Sequence, residues 1–103
     1  MLVALTLRKL KPGTYDAFRA AWEGDGTPPP EGWVRAYHVR NLNDPDEVIS
    51  FGFFDGTLDD LRRGQQEEDY GALRRRTAEY EVSIGADGLY EVLEELTPET
   101  WGS

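Results

Sequence analysis

Three segments of this chain pattern as strands, and each carries apolar side chains on both of its alternating faces: Leu2–Leu7, Val48–Phe54 and Leu89–Leu93. Successive side chains of a strand point to opposite sides of the sheet, so a strand with one wet face alternates apolar with polar. In the first segment Val3, Leu5 and Leu7 share one face while Leu2 and Ala4 hold the other. In the second, Ile49, Phe51 and Phe53 oppose Val48 and Phe54. Such a sheet needs cover on both sides. A chain of 103 residues with this little helical pattern supplies one side only, so the second cover has to come from elsewhere.

Helical pattern occurs in two places. After Leu10-Lys11-Pro12-Gly13, Thr14 is placed to cap a helix whose apolar stripe is Tyr15, Phe18, Ala21 and Trp22. Gly24–Gly32, with three successive prolines, is a surface loop. Trp33–Asn41 alternates but is more polar, which suits an edge strand. Asn43-Asp44-Pro45-Asp46 turns it back onto the next strand as a hairpin. Gly56-Thr57 opens a helix through Leu58 and Leu61, broken or bent at Gly64. A second stretch runs from about Glu67 to Ser83, with Tyr70, Leu73, Ala78 and Val82 on its buried side. Gly85 and Gly88 bracket a turn into the last strand, and Thr97-Pro98 ends that strand, leaving a tail, 97–103.

The order β-α-β-β-α-β, in one domain over residues 1–103, predicts an α+β fold of ferredoxin-like type: a four-stranded antiparallel sheet with both helices on one face. The bare face then presents several large apolar groups, a patch seldom left in water. The economical cover is a second copy, two sheets packing face to face as a homodimeric α/β barrel. Covering about 600–800 Å² per subunit places the pair among specific interfaces.

Charge and composition narrow the partners. A net charge of −9 repels nucleic acid and anionic membrane, so neither is an expected partner. Without cysteine there is no disulfide, thiolate nucleophile or Cys-ligated metal. Strand pattern from the first residues, with no signal-like run, leads to the expectation of a soluble cytoplasmic protein. Asp44, Asp46 and Glu47 lack the spacing of a calcium loop and read as a solvated turn, so no metal site is expected. The helical charges read as solvated faces, with Asp59–Arg63 and Arg75–Glu79 spaced for i,i+4 pairs.

Arg8-Lys9-Leu10-Lys11-Pro12-Gly13 followed by Tyr15, Phe18 and Trp22, the hairpin Arg40–Val48 with Phe51, Phe53 and Phe54, and the closing Gly88–Leu96 together resemble the dimeric α/β-barrel proteins, and within them the antibiotic-biosynthesis-monooxygenase-like domains. The resemblance covers nearly the whole chain and rests on fold signatures. It implies a small hydrophobic or aromatic ligand, held between sheet and helices or inside the barrel. The reaction it implies is cofactor-independent oxygenation, in which the substrate's own carbanion reacts with oxygen; no cofactor is expected. The family's haem-degrading branch uses an Asn, a Trp and a His; the Asn position falls near Thr6, and the other two are missing from the corresponding segments. The polyketide-oxidising branch uses an Asn, a Trp, a Tyr and an Arg to bind a phenol and stabilise its anion, a set no motif places here.

The residues themselves supply the candidates. His38, the sole histidine, is either a general base or a structural hydrogen-bonding residue. Trp33, Tyr37 and Arg35, on one face of the same strand, suit either a planar anionic ligand or an aromatic dimer interface. If Val3, Leu5 and Leu7 face the helices, then Ala4 and Thr6 leave room between the sheets, with Arg8 at the mouth. The expected site thus comprises His38 and Arg40 in catalysis, with Thr6, Arg8, Trp33, Tyr37, Phe51 and Phe53 against the ligand. Arg8, Arg35 or Arg40 would stabilise the anion in a dry pocket. The alternative is a non-catalytic ligand-binding or structural homodimer, its barrel filled by side chains. Strand phase separates the two: His38 and Thr6 facing one enclosed cavity favours the enzyme.

Overall fold

A computed structural model describes residues 1–24, 26 and 28–102; Asp25 and Thr27 of the proline-rich loop, Ser103 of the tail and the side chain of Glu68 lie outside the described residues. The elements are β1 (Leu2–Leu10), α1 (Tyr15–Glu23), β2 (Trp33–Asn41), β3 (Asp44–Phe54), α2 (Leu58–Gln65), α3 (Glu68–Ala78), β4 (Glu81–Glu91) and a terminal turn of helix, α4 (Pro98–Trp101). One antiparallel sheet runs β2-β3-β1-β4, which is the ferredoxin-like α+β arrangement. The most polar strand, β2, takes an edge, as its composition requires.

Cross-strand partners define the two faces. On one, Tyr37, Phe51, Leu5 and Gly88 form a row, flanked by Val39, Ile49 and Leu7 on one side and Arg35, Phe53, Val3 and Tyr90 on the other. Tyr37 (44%), Val39 (40%) and Tyr90 (48%) of this face remain exposed to solvent. On the other face Thr6, Arg8, Leu10, Val48 and Phe54 are buried. There Leu10, Phe18 and Val48 form the core, with Tyr15, Trp22 and Tyr80 packed around them. Fully burying Phe18 is worth about 2–3 kcal/mol. Gly52 lets the Trp33 ring lie flat on the sheet, since a Cβ there would sit 2.9 Å from the indole.

The phase of β1 is the reverse of the expectation. Thr6 and Arg8 go under the helices and Val3, Leu5 and Leu7 go to the open face. With apolar residues on both faces hydrophobicity cannot choose the phase; the polar partners of Thr6 and Arg8 choose it. Arg8 is therefore not at the mouth of an inter-sheet cavity but 2% exposed beneath α1.

Several boundaries differ as well. The helix stops at Ala78, and β4 starts at Glu81, not Leu89, because the β1 ladder continues to Leu10↔Glu81 and Lys11 N–H donates to the Tyr80 carbonyl at 2.8 Å. Val82 is consequently 62% exposed, and Gly85 and Gly88 lie inside the strand, near a register shift between Thr6 and Arg8. The hairpin turns at Leu42-Asn43, and Asp44-Pro45-Asp46 already belongs to β3. Asn41 Oδ1 accepts from Asn43 N–H at 2.8 Å, a side-chain turn mimic one step earlier than expected. Thr14 does not cap α1 through its side chain; its hydroxyl donates to Lys11 O. Thr57 does cap α2, accepting from Asp60 N–H at 3.1 Å, and the helix breaks after Gln65, one residue beyond Gly64. Arg63 pairs with Asp60, one residue short of the expected Asp59.

Candidate functional site

The helix-covered face carries two polar clusters, and β1 contributes a residue to each. Under α1, Arg8 Nε donates to Glu81 Oε1 at 2.9 Å, with side chains 2% and 10% exposed. Arg8 Nη1 donates to Ser50 Oγ at 3.1 Å, and Ser50 Oγ lies 2.7 Å from His38 Nδ1. The guanidinium also sits 5.1 Å from the centre of the Phe18 ring. Tyr15, Phe18 and Trp22 of α1 surround the imidazole edge-on, Trp22 closest at 4.8 Å between centroids.

Arg8 can only donate, so it occupies one lone pair of Ser50 Oγ; the second lone pair and the hydroxyl hydrogen let Ser50 meet His38 Nδ1 in either tautomer of the ring. Nε2 is buried with no hydrogen-bond partner among the described residues, inside the aromatic cage. Burial first, then the positive charges of Arg19 and Arg8, push the imidazole down from 6.5 to about 4. As pH falls from 6.5 towards 4, the unfolded chain binds a proton that the folded chain refuses, so stability declines across that window by roughly 2–3 kcal/mol. Nitrogen NMR of the lone histidine should show an uncharged imidazole down to about pH 5. Urea unfolding of the wild type should lose a pH-dependent component that His38→Phe lacks. An imidazolium at about pH 6, or parallel stability curves, would contradict the depressed pKa.

The second cluster lies beneath α2 and α3. Thr6 Oγ1 donates to Asp87 Oδ1 at 3.2 Å, and Arg74 reaches both, donating to Asp87 Oδ2 at 2.7 Å and to Thr6 Oγ1 at 3.4 Å. Tyr70, one helical turn before Arg74, places its ring 6.0 Å from the guanidinium. Ala4, Thr6, Gln65, Tyr70, Asp87 and Leu89 line a cleft of about 240 Å³. Another cleft, about 330 Å³, opens beside α1 between Tyr15, Asp16, His38, Val39 and Arg40, where the Arg40 guanidinium lies over the Tyr15 ring at 5.2 Å.

The eight residues expected to form one site are therefore spread over the molecule. Thr6 lines the α2–α3 cleft, and His38 and Arg40 line the α1 cleft. Arg8 is locked in a buried ion pair, and Trp33 packs edge-on against Phe54 at 5.2 Å. Tyr37, Phe51 and Phe53 cluster on the open face, with Tyr37 and Phe51 5.3 Å apart. A register shift after Trp33 puts it on the opposite face from Tyr37. His38 and Thr6 do face the same side of the sheet, but in separate clefts. Gln65, Tyr70, Arg74 and Asp87 were not among the expected site residues. The signal for two of them was present in Tyr70 and Arg74, spaced to share one helix face. Among the described residues no cluster of three or more His, Asp or Glu could hold a metal, and no helix is long and apolar enough to cross a membrane.

No protein-family model matches the sequence, and no curated protein matches it. Solved structures do match the fold. A protein provisionally named an antibiotic biosynthesis monooxygenase, from Nitrosomonas europaea, superposes with a TM-score of 0.70 at 18% identity, covering 91% of this chain and 100% of that one. Rv0793 from Mycobacterium tuberculosis gives 0.72 at 16% identity, covering 93% and 98%. SnoaB, a cofactor-independent oxygenase from Streptomyces nogalater, gives 0.71 at 14% identity, covering 92% and 95%. The chain thus has the ferredoxin-like α+β fold of the antibiotic-biosynthesis-monooxygenase proteins that its strands and turns resemble.

Proposed function

We propose that this chain works as a homodimer that binds a small aromatic molecule bearing an ionisable hydroxyl in the cleft under α2 and α3, and oxygenates it without a cofactor. Thr6, Tyr70 and Asp87 line one cleft, and Arg74 stands behind it, bonded to Thr6 and Asp87; this grouping carries the reading. A Tyr and an Arg are two of the four residue types that the family resemblance calls for, and they stand together here. Tyr70 offers a ring to stack on, Asp87 an acceptor for a hydroxyl proton, and Arg74, bonded to Thr6 and Asp87, a positive charge behind the cleft wall. In the step itself a ring CH₂ loses a proton, the carbanion passes electrons to dioxygen, one oxygen atom stays as a ketone and the other leaves as water. His38, bonded through Nδ1 and lying in the other cleft, is not the base in this reading.

A second reading, a binding domain without turnover, is favoured by one observation: Arg74 and Arg8 are already paired, with Asp87 and Glu81. Titration with a naphthol separates cleft from elsewhere. Losing a charge-assisted hydrogen bond costs about 1.5–3 kcal/mol, so Arg74→Met should weaken binding roughly ten- to a hundred-fold, and Arg62→Ala should not change it. Equal affinity in both variants would place the ligand outside this cleft. Oxygen uptake with anthrone then decides between oxygenase and binder, a rate indistinguishable from the protein-free control removing the enzyme.

A further inference from the structure

We infer that the cleft beside the start of α1 is a second ligand site, and that it takes a small zwitterion, an α-amino acid with an apolar side chain. Two elements build it. β2 brings His38 and Arg40 onto the helix-covered face, level with Ser50 and Val48 of β3, and α1 brings Tyr15 and Asp16. At about 330 Å³ the cleft is larger than the one under α2 and α3, and it falls at the lower end of small-molecule sites. The two clefts share no lining residue, so this site does not depend on the reading above. α1 packs through Phe18 onto Leu10 and Val48, on the face opposite the open row. A second copy covering that open row therefore leaves this cleft accessible.

The charges identify the ligand. Arg40 and Asp16 line one cleft with opposite charges, yet neither forms an ion pair or a side-chain hydrogen bond among the described residues. Other bases on these elements close on an acid: Arg8 on Glu81, Lys9 on Asp44, Arg19 on Glu23. The hairpin carboxylates that follow Arg40 in the chain are engaged too, Asp46 accepting from Gly13 N–H at 3.1 Å and Glu47 from Asn41 Nδ2 at 3.2 Å. Arg40 is nevertheless held in place: its guanidinium lies over the Tyr15 ring, 5.2 Å from the centroid, a contact that leaves its N–H donors unused. A carboxylate with an ammonium group beside it answers both ends at once, the guanidinium donating to the carboxylate and Asp16 accepting from the ammonium. A ligand with only one of the two charges meets one repulsive contact, which is how the cleft discriminates. Tyr15 and His38, edge-on with centroids 6.3 Å apart, give an apolar side chain aromatic walls.

Amide NMR titration of the full-length chain with L-phenylalanine tests this, with phenylpropionate and phenethylamine as probes that each lack one charge. Phenylalanine should bind with a dissociation constant on the order of 1 mM. It should shift the amides of Asp16 and Val39 and leave those of Gly88 and Leu89, in the other cleft, where they are. Each single-charge probe should bind at least about tenfold more weakly. Arg40→Gln and Asp16→Asn, both at exposed positions, should each weaken phenylalanine about tenfold. Their effects should part on the probes: Arg40→Gln should not weaken phenethylamine, and Asp16→Asn should not weaken phenylpropionate. No saturable shift of Asp16 or Val39 by about 10 mM phenylalanine would overturn the site. Either single-charge probe matching phenylalanine, with the variant at the opposite charge without effect, would overturn the zwitterion.

Discussion

Arg8→Ala should remove about 3–5 kcal/mol of folding stability, because it leaves the Glu81 carboxylate uncompensated in a site closed to water. Both side chains are nearly buried, at 2% and 10% exposure, so the carboxylate has little solvent to fall back on. The same change removes the guanidinium from the Phe18 ring and from Ser50, and withdraws an alkyl stem that packs the core. For a domain whose total stability is about 5–15 kcal/mol, this is a large share, and the melting temperature should fall by on the order of 20 °C. The double variant Arg8→Met/Glu81→Leu should recover most of the loss, since an apolar pair of similar volume leaves no buried charge behind. Thermal unfolding of the three proteins checks this; an Arg8→Ala protein within about 1 °C of wild type would mean the pair contributes nothing.

Phe51→Asp should have the largest effect on association. Phe51 stands mid-row on the open face, between Tyr37 and Leu5, with Phe53 6.0 Å away. Near a two-fold axis one substitution places a carboxylate on both sides of the contact. A central aromatic anchor is worth roughly 2–4 kcal/mol, so the dissociation constant should rise about 30- to 1,000-fold. Leu42→Asp, at a hairpin tip already 99% exposed, should change neither stability nor association. Sedimentation of both variants against wild type is the check, and equal association of Phe51→Asp and wild type would remove the open face from any interface.

The sequence declared the sheet and its order well, because turns, prolines and the length of each apolar run restrict the choices. It could not declare the phase of β1: with leucines on one face and Leu2, Ala4 and Leu10 on the other, either side satisfies hydrophobicity, and the deciding partners of Arg8, Glu81 and Ser50, lie 73 and 42 residues away. The same distance problem hid the α2–α3 cleft. Thr6 was a candidate, but Arg74 read as one of a solvated arginine run and Asp87 as part of a turn, because Tyr70, Leu73 and Val82 extend a helical stripe past the point where pairing with Leu10 forces a strand. His38 stood out as the lone histidine, yet it is tied through Ser50 to an arginine two strands away, and no spacing in the chain reports that.

The central physical claim is that the open row of Val3, Leu5, Tyr37, Ile49, Phe51 and Phe53 is covered by a second copy of the chain. Sedimentation velocity at micromolar concentration in moderate salt measures it directly. The expected result is a single boundary at twice the 11.7 kDa chain mass that persists on dilution into the low micromolar range. A boundary at the mass of one chain under the same conditions would contradict it.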